Sequence, residues 1–122
     1  MKRSVDKIGI IERERYLSIL NKIFRLLKVS NLPQQTDVID RIIKLIDIEN
    51  INEFVELING VEFWGGVGAV WEVYIEDKKN AEKFEAEIIN LIDLMQETNI
   101  LGRGIKPIRK IFLNNLRQHS SN

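Results

Sequence analysis

Four carboxylates, Glu62, Glu72, Glu76 and Asp77, are interleaved with Trp64, Trp71 and Tyr74 in a stretch that also holds Gly65, Gly66 and Gly68. Two kinds of chemistry are open to that mixture. A carboxyl pressed against an indole loses solvation, its pKa rises, and it can serve as a general acid. Alternatively, large amphipathic rings anchor a partner protein while the acids around them attract its cations. The catalytic option lacks a second polar anchor. The single histidine, His119, lies in the last few residues, and the absence of cysteine excludes thiolate catalysis and cysteine-ligated metals. No Ser-His-Asp, Cys-His or HExxH arrangement can be assembled from this inventory. The chain is therefore expected to be non-enzymatic, with Glu62, Trp64, Trp71, Glu72, Tyr74, Glu76 and Asp77 as a partner-binding set. The competing reading packs the tryptophans mainly into the protein's own core, as their Val and Ile neighbours favour.

Gly65-Gly66-Val67-Gly68 invites comparison with phosphate-cradling loops, whose backbone N–H groups surround an anion. The GxxxxGK[ST] lysine is missing, the GxGxxG register is missing, and the surrounding acids repel phosphate. Close approach of the backbone to another helix is the expected reason for these glycines. Glu82, Glu85 and Glu87 lack the spacing and the glycine-centred oxygen loop of a calcium site. Neither a cofactor nor a metal is expected.

The formal net charge of zero conceals a segregation. Residues 1–30 carry eight Lys/Arg against three acids, residues 31–97 five against fifteen, and residues 98–122 five against none. Either the basic ends fold over the acidic middle and neutralise it, or an acidic patch stays exposed. Arg103, Lys106, Arg109, Lys110 and Arg117 can instead contact nucleic-acid phosphates, which makes a small nucleic-acid-associated regulator the alternative function. Phe112 is the one aromatic in that run and reads as core, so nucleic acid is not the favoured partner.

Helices must position these groups. Tyr16, Ile19, Leu20, Ile23, Phe24 and Leu27 recur at three- and four-residue steps and predict a helix from about Ile10 to Val29, stopped by Asn31 and Pro33. A second helix is expected from about Gln34 to Ile48, with an apolar arc wide enough to pack on more than one side. Asn50-Ile51-Asn52-Glu53 resembles a capping box and opens a short helix that ends at Gly60. Asn80 can cap a long helix through Phe84, Ile88, Leu91, Ile92 and Met95. Pro107 starts a last helix with Ile108, Ile111, Phe112 and Leu116 on one face, and the tail frays from about residue 118. Gly68–Asp77 reads as helix, because Val67, Val70, Trp71, Tyr74 and Ile75 share a helical face. Its alternation also suits a strand. The expected fold is an all-α, single-domain bundle of five or six helices over residues 1–122. The alternative is an α+β fold with a short strand or hairpin around residues 68–76. No apolar run approaches the roughly 20 residues needed to span a bilayer, and Glu12–Arg15 interrupt any signal-peptide core. A cytoplasmic location without membrane association follows as the expectation.

Trp64-Gly65-Gly66-x-Gly68-Ala69-Val70-Trp71-Glu72-Val73, followed by Leu101-Gly102-Arg103-Gly104-Ile105-Lys106-Pro107, resembles a set of small bacterial proteins of unassigned function. The resemblance spans about Phe63 to Phe112. In size and style such proteins are similar to immunity proteins encoded beside contact-dependent or other polymorphic toxins. That likeness implies a cognate protein toxin as partner and carries over no active-site residue, because the class shares a role and no common motif. Where the toxin is a nuclease, an acidic, aromatic-bearing surface can occupy its cationic substrate site and associate quickly.

Overall fold

Tyr16, Leu20, Ile23 and Leu27 are all but fully buried, so one stripe of α1 (Ile10–Val29) forms the floor of the core. The computed structural model describes the backbone of residues 10–120 and the side chains of residues 12–118. α2 (Pro33–Asp47) lays Val38, Ile39, Ile42 and Ile46 against α1, with Pro33 in its first turn, where a missing N–H costs little. Its wide apolar arc is used as expected, since α3 and α4 pack on it as well. α3 (Ile51–Ile58) opens on the capping residue Asn50, whose Oδ1 accepts the Glu53 N–H at 3.3 Å. α4 (Val61–Trp64) is a single turn that buries Phe63.

α5 (Lys78–Glu97) buries Phe84, Ile88, Leu91, Ile92 and Met95, the residues that its spacing predicts. It starts earlier than expected. Asp77, not Asn80, is the cap, and its Oδ1 accepts the Asn80 N–H at 2.9 Å. A carboxylate at this position also meets the positive end of the helix dipole. α6 (Lys106–Ser120) packs along α5 through Ile108 and Phe112. Ile111, expected on that packed face, is 47% exposed because α5 covers only one side of α6. The side chain of His119 lies outside the described residues.

The order of packing is therefore α6, α5, α1, α2, with α3 and α4 closing the far side of α2. The fold is an all-α bundle, and no strand occurs among the described residues. Residues 68–77 correct the sequence expectation. They form neither an α-helix nor a strand but a 3₁₀ turn at Val70–Glu72, then a non-helical run whose first and last residues, Val73 and Asp77, have extended backbone angles. Three glycines tax helix formation at one end, and the Asp77 cap begins a new helix at the other. The alternation of the strand reading is partly present, since Ile75 is buried between exposed Tyr74 and Glu76. A second extended segment to pair with it is absent among the described residues.

Candidate partner-binding surface

The segment from Val61 to Asp77 leaves the α2 side of the bundle and arrives at the α5–α6 side, and its two indoles fasten it on the way. Phe63 is fully buried and stacks on Trp64 with ring centroids 4.2 Å apart. The Trp64 ring N–H donates to the Ile58 carbonyl at 2.6 Å, folding α4 back onto the end of α3. The Trp71 ring N–H donates to the Gly65 carbonyl at 2.8 Å and so closes the glycine turn on itself. That ring then meets Phe112 of α6 edge-on at 6.3 Å. Both tryptophans are half-buried and packed against the core.

The glycines have local reasons. At Gly65 a Cβ would lie 2.6 Å from the Val61 carbonyl oxygen, so the chain can leave α4 here only without a side chain. Gly68 has φ +89°, a region costly for other residues, and the Gln35 amide fixes its carbonyl to α2 at 2.8 Å. The expected approach of a second helix is not found, because nothing lies within 4 Å of a Cβ at Gly66 or Gly68.

The seven candidate residues do not converge on one point. Trp64 and Trp71 are fasteners, and Asp77 caps α5. Glu62 lies on the α2 side, where the Arg41 guanidinium donates to it at 2.8 Å and to Asp37 at 3.0 Å. That hydrogen bond with Arg41 holds the Glu62 carboxyl below the usual carboxylate range, the reverse of the shift a general acid needs at neutral pH. Glu72, Tyr74 and Glu76 lie on the opposite side, all exposed, and the carboxylates of Glu72 and Glu76 form no hydrogen bond or ion pair among the described residues. Beside them runs a groove of about 290 Å³ whose walls include Val73, Tyr74, Phe84 and Phe112.

Three features escaped the sequence reading. Val61 and Val67 are almost fully exposed at the rim of an open cleft of about 720 Å³ between α2, α4 and the glycine turn, and Arg41 lines its wall. Their position next to glycines was the available signal, and the helical face expected to hold Val67 does not form. Asn59 is the third. Its Oδ1 accepts the Gly102 N–H at 2.7 Å and its Nδ2 donates to the Ile100 and Val55 carbonyls at 2.9 and 3.0 Å, which ties the turn after α5 to the end of α3.

In the basic C-terminal run, Arg109 grips Asp93 with two bonds of 2.7 and 3.3 Å, whereas Arg103, in the turn before α6, and Lys106 and Lys110 on it are exposed. Among the described residues no group of three or more His, Cys, Asp or Glu can hold a metal ion, and no helix is long and apolar enough to cross a membrane. No family model, curated protein or solved structure matches the chain.

Proposed function

We propose that this chain is a non-enzymatic protein-binding module of the immunity type, which neutralises a cognate bacterial toxin in the cytoplasm by direct binding. One observation carries the reading. Tyr74 is 80% exposed between the exposed carboxylates of Glu72 and Glu76, on a segment anchored by Trp71, Ile75 and the Asp77 cap. An aromatic ring held out of the core on a fastened segment, with acids beside it, has the composition of an interface anchor for a cationic partner. A nuclease toxin suits that charge, since its own site must attract phosphate.

The test is co-expression with the C-terminal toxin domain of the neighbouring reading frame, in which the wild-type chain rescues growth. The double variant Glu72→Lys/Glu76→Lys should slow association with that domain by about tenfold at low salt, since it reverses the steering charge. Its thermal unfolding should match wild type. Unchanged association removes these residues from the interface, and failure of the wild-type chain to rescue overturns the immunity reading.

A second reading is favoured by the exposure of Arg103, Lys106 and Lys110, which leaves a cationic surface at the start of α6. Binding of DNA or RNA that weakens steeply with salt and is lost in Lys106→Glu/Lys110→Glu would favour a nucleic-acid-associated regulator instead.

A further inference from the structure

Asn59 and Gly60 join α3 to α4, and Asn59 is the one asparagine of the chain that is followed by glycine. That pair has a chemistry of its own. With no β-carbon to shield it, a glycine nitrogen can attack the side-chain carbonyl carbon of the preceding asparagine, so Asn-Gly is prone to spontaneous deamidation in water.

The fold withholds this reaction. The Asn59 amide is held by three bonds, accepting from the Gly102 N–H at 2.7 Å and donating to the Ile100 and Val55 carbonyls at 2.9 and 3.0 Å. Ring closure needs the Gly60 nitrogen and the Asn59 Cβ nearly eclipsed about the Cα–C bond, whereas an Asn59 ψ of 2° keeps them well apart. The Gly60 N–H, whose proton must leave before attack, donates to the Leu57 carbonyl at 3.1 Å. The same clasp requires an amide. Two of its three bonds need Nδ2 as a donor, and a carboxylate there turns an oxygen towards two carbonyl oxygens instead.

We propose that Asn59–Gly60 is a latent deamidation site guarded by this clasp, and that its conversion is a one-way switch detaching the turn after α5 from the end of α3. When the clasp opens, hydroxide takes the Gly60 N–H proton and the nitrogen attacks Asn59 Cγ. The N–Cγ bond forms, the Cγ–Nδ2 bond breaks, and Nδ2 leaves as ammonia with a proton from water, which leaves a succinimide ring. Water then opens the ring. Addition at Cγ breaks its bond to the ring nitrogen and gives aspartate. Addition at the main-chain carbonyl carbon breaks the bond on that side and gives isoaspartate, whose backbone runs through Cβ and is one carbon longer. One water is consumed, one ammonia is released, and nothing is oxidised or reduced. Neither product restores the two donated bonds. The change also sits at the root of the Val61–Asp77 segment, beside the Ile58 carbonyl that fastens Trp64.

The test follows the full chain at mildly alkaline pH, folded and in guanidinium chloride. A glutamate-specific protease releases Leu57–Glu62, in which Asn59 is the only asparagine, and chromatography resolves its aspartate and isoaspartate forms. Conversion of the folded chain should be on the order of a hundredfold slower than that of the unfolded chain, because three hydrogen bonds must open together. In Gly102→Ala a Cβ would lie 2.6 Å from Asn59 Oδ1, so the Asn59 side chain must yield, and folded-state conversion should rise about tenfold with helical dichroism unchanged. Should that variant lose its helices, the wild type in sub-denaturing guanidinium chloride gives the same reading: conversion should rise in step with hydrogen exchange of the Gly102 amide. In the converted chain, and in Asn59→Asp, that amide should exchange about tenfold faster than in wild type. Equal conversion of folded and unfolded chains, conversion insensitive to opening at Gly102, or wild-type protection of the Gly102 amide after conversion would overturn the inference.

Discussion

Gly65 and Gly66 are chain neighbours with opposite tolerances. A Cβ at position 65 would press on a backbone oxygen at 2.6 Å, whereas a Cβ at position 66 meets nothing within 4 Å. Gly65→Ala should therefore cost about 2 kcal/mol, as overpacking typically does, while Gly66→Ala stays within roughly 0.5 kcal/mol of wild type. Urea midpoints of the two variants measure the contrast, and equal midpoints would mean that the turn yields freely. This difference was not legible in the sequence, where the two glycines look alike, because it depends on which carbonyl the turn brings back. The roles of the two tryptophans were legible only as alternatives. Val and Ile neighbours pointed inward correctly, but the carbonyls that satisfy the ring N–H groups belong to Ile58 and Gly65, each six residues before its tryptophan, and periodicity does not reveal them.

Helix boundaries were the most readable part of the chain, because caps and breakers are local signals. Asn31, Glu49 and Asn99 all adopt left-handed angles just past α1, α2 and α5, with φ of 63°, 59° and 67°. Behind each, a backbone bond spans the helix end, from Leu32 to Leu27, Asn50 to Leu45 and Ile100 to Met95, at 2.9–3.1 Å. Asparagine tolerates this conformation and glutamate does not. Glu49→Gly should raise stability by about 0.5–1 kcal/mol, after allowing for the exposed Arg13–Glu49 pair at 3.3 Å, which is worth only a few tenths. A thermal midpoint that does not rise would mean that the ion pair outweighs the strain. The run after the glycines was misread because its outcome is decided by competition between elements. A helical face was available there, but the Asp77 cap and the burial of Ile75 drew the chain into another shape.

For the molecule as a whole, the charge blocks read along the chain cancel across helix contacts. Arg13, Arg15 and Lys22 of α1 reach Glu49, Glu97 and Glu87, and Arg109 of α6 reaches Asp93. Both halves of the sequence alternative are thus present, since Glu72 and Glu76 stay outside the network. The block charges alone did not show which acids would remain. Tyr16 sits where α1, α3 and the end of α5 meet, edge-on to Phe54 at 5.2 Å and hydrogen-bonded to Thr98 Oγ1 at 2.5 Å. The Thr98 hydroxyl donates to Leu94, so the phenol is the donor in that pair. Burial pushes its pKa up to about 12. Below pH 10 the phenol is neutral in the folded and unfolded chain alike. Above pH 10 it ionises first in the unfolded chain, so stability falls as pH rises towards about 12, by up to about 2–3 kcal/mol from this group. Tyr16→Phe should be less stable by about 1 kcal/mol at pH 7 and should flatten the alkaline decline, as urea titrations at pH 7 to 11 will read. An equally steep decline in the variant would place the linkage elsewhere. Because Trp64 and Trp71 are the only tryptophans, and both fasten one segment, near-ultraviolet emission of this protein originates there. The molecule thus carries a native optical probe of its own presenting strap, and an emission change that precedes loss of helical dichroism measures the opening of that strap apart from the bundle.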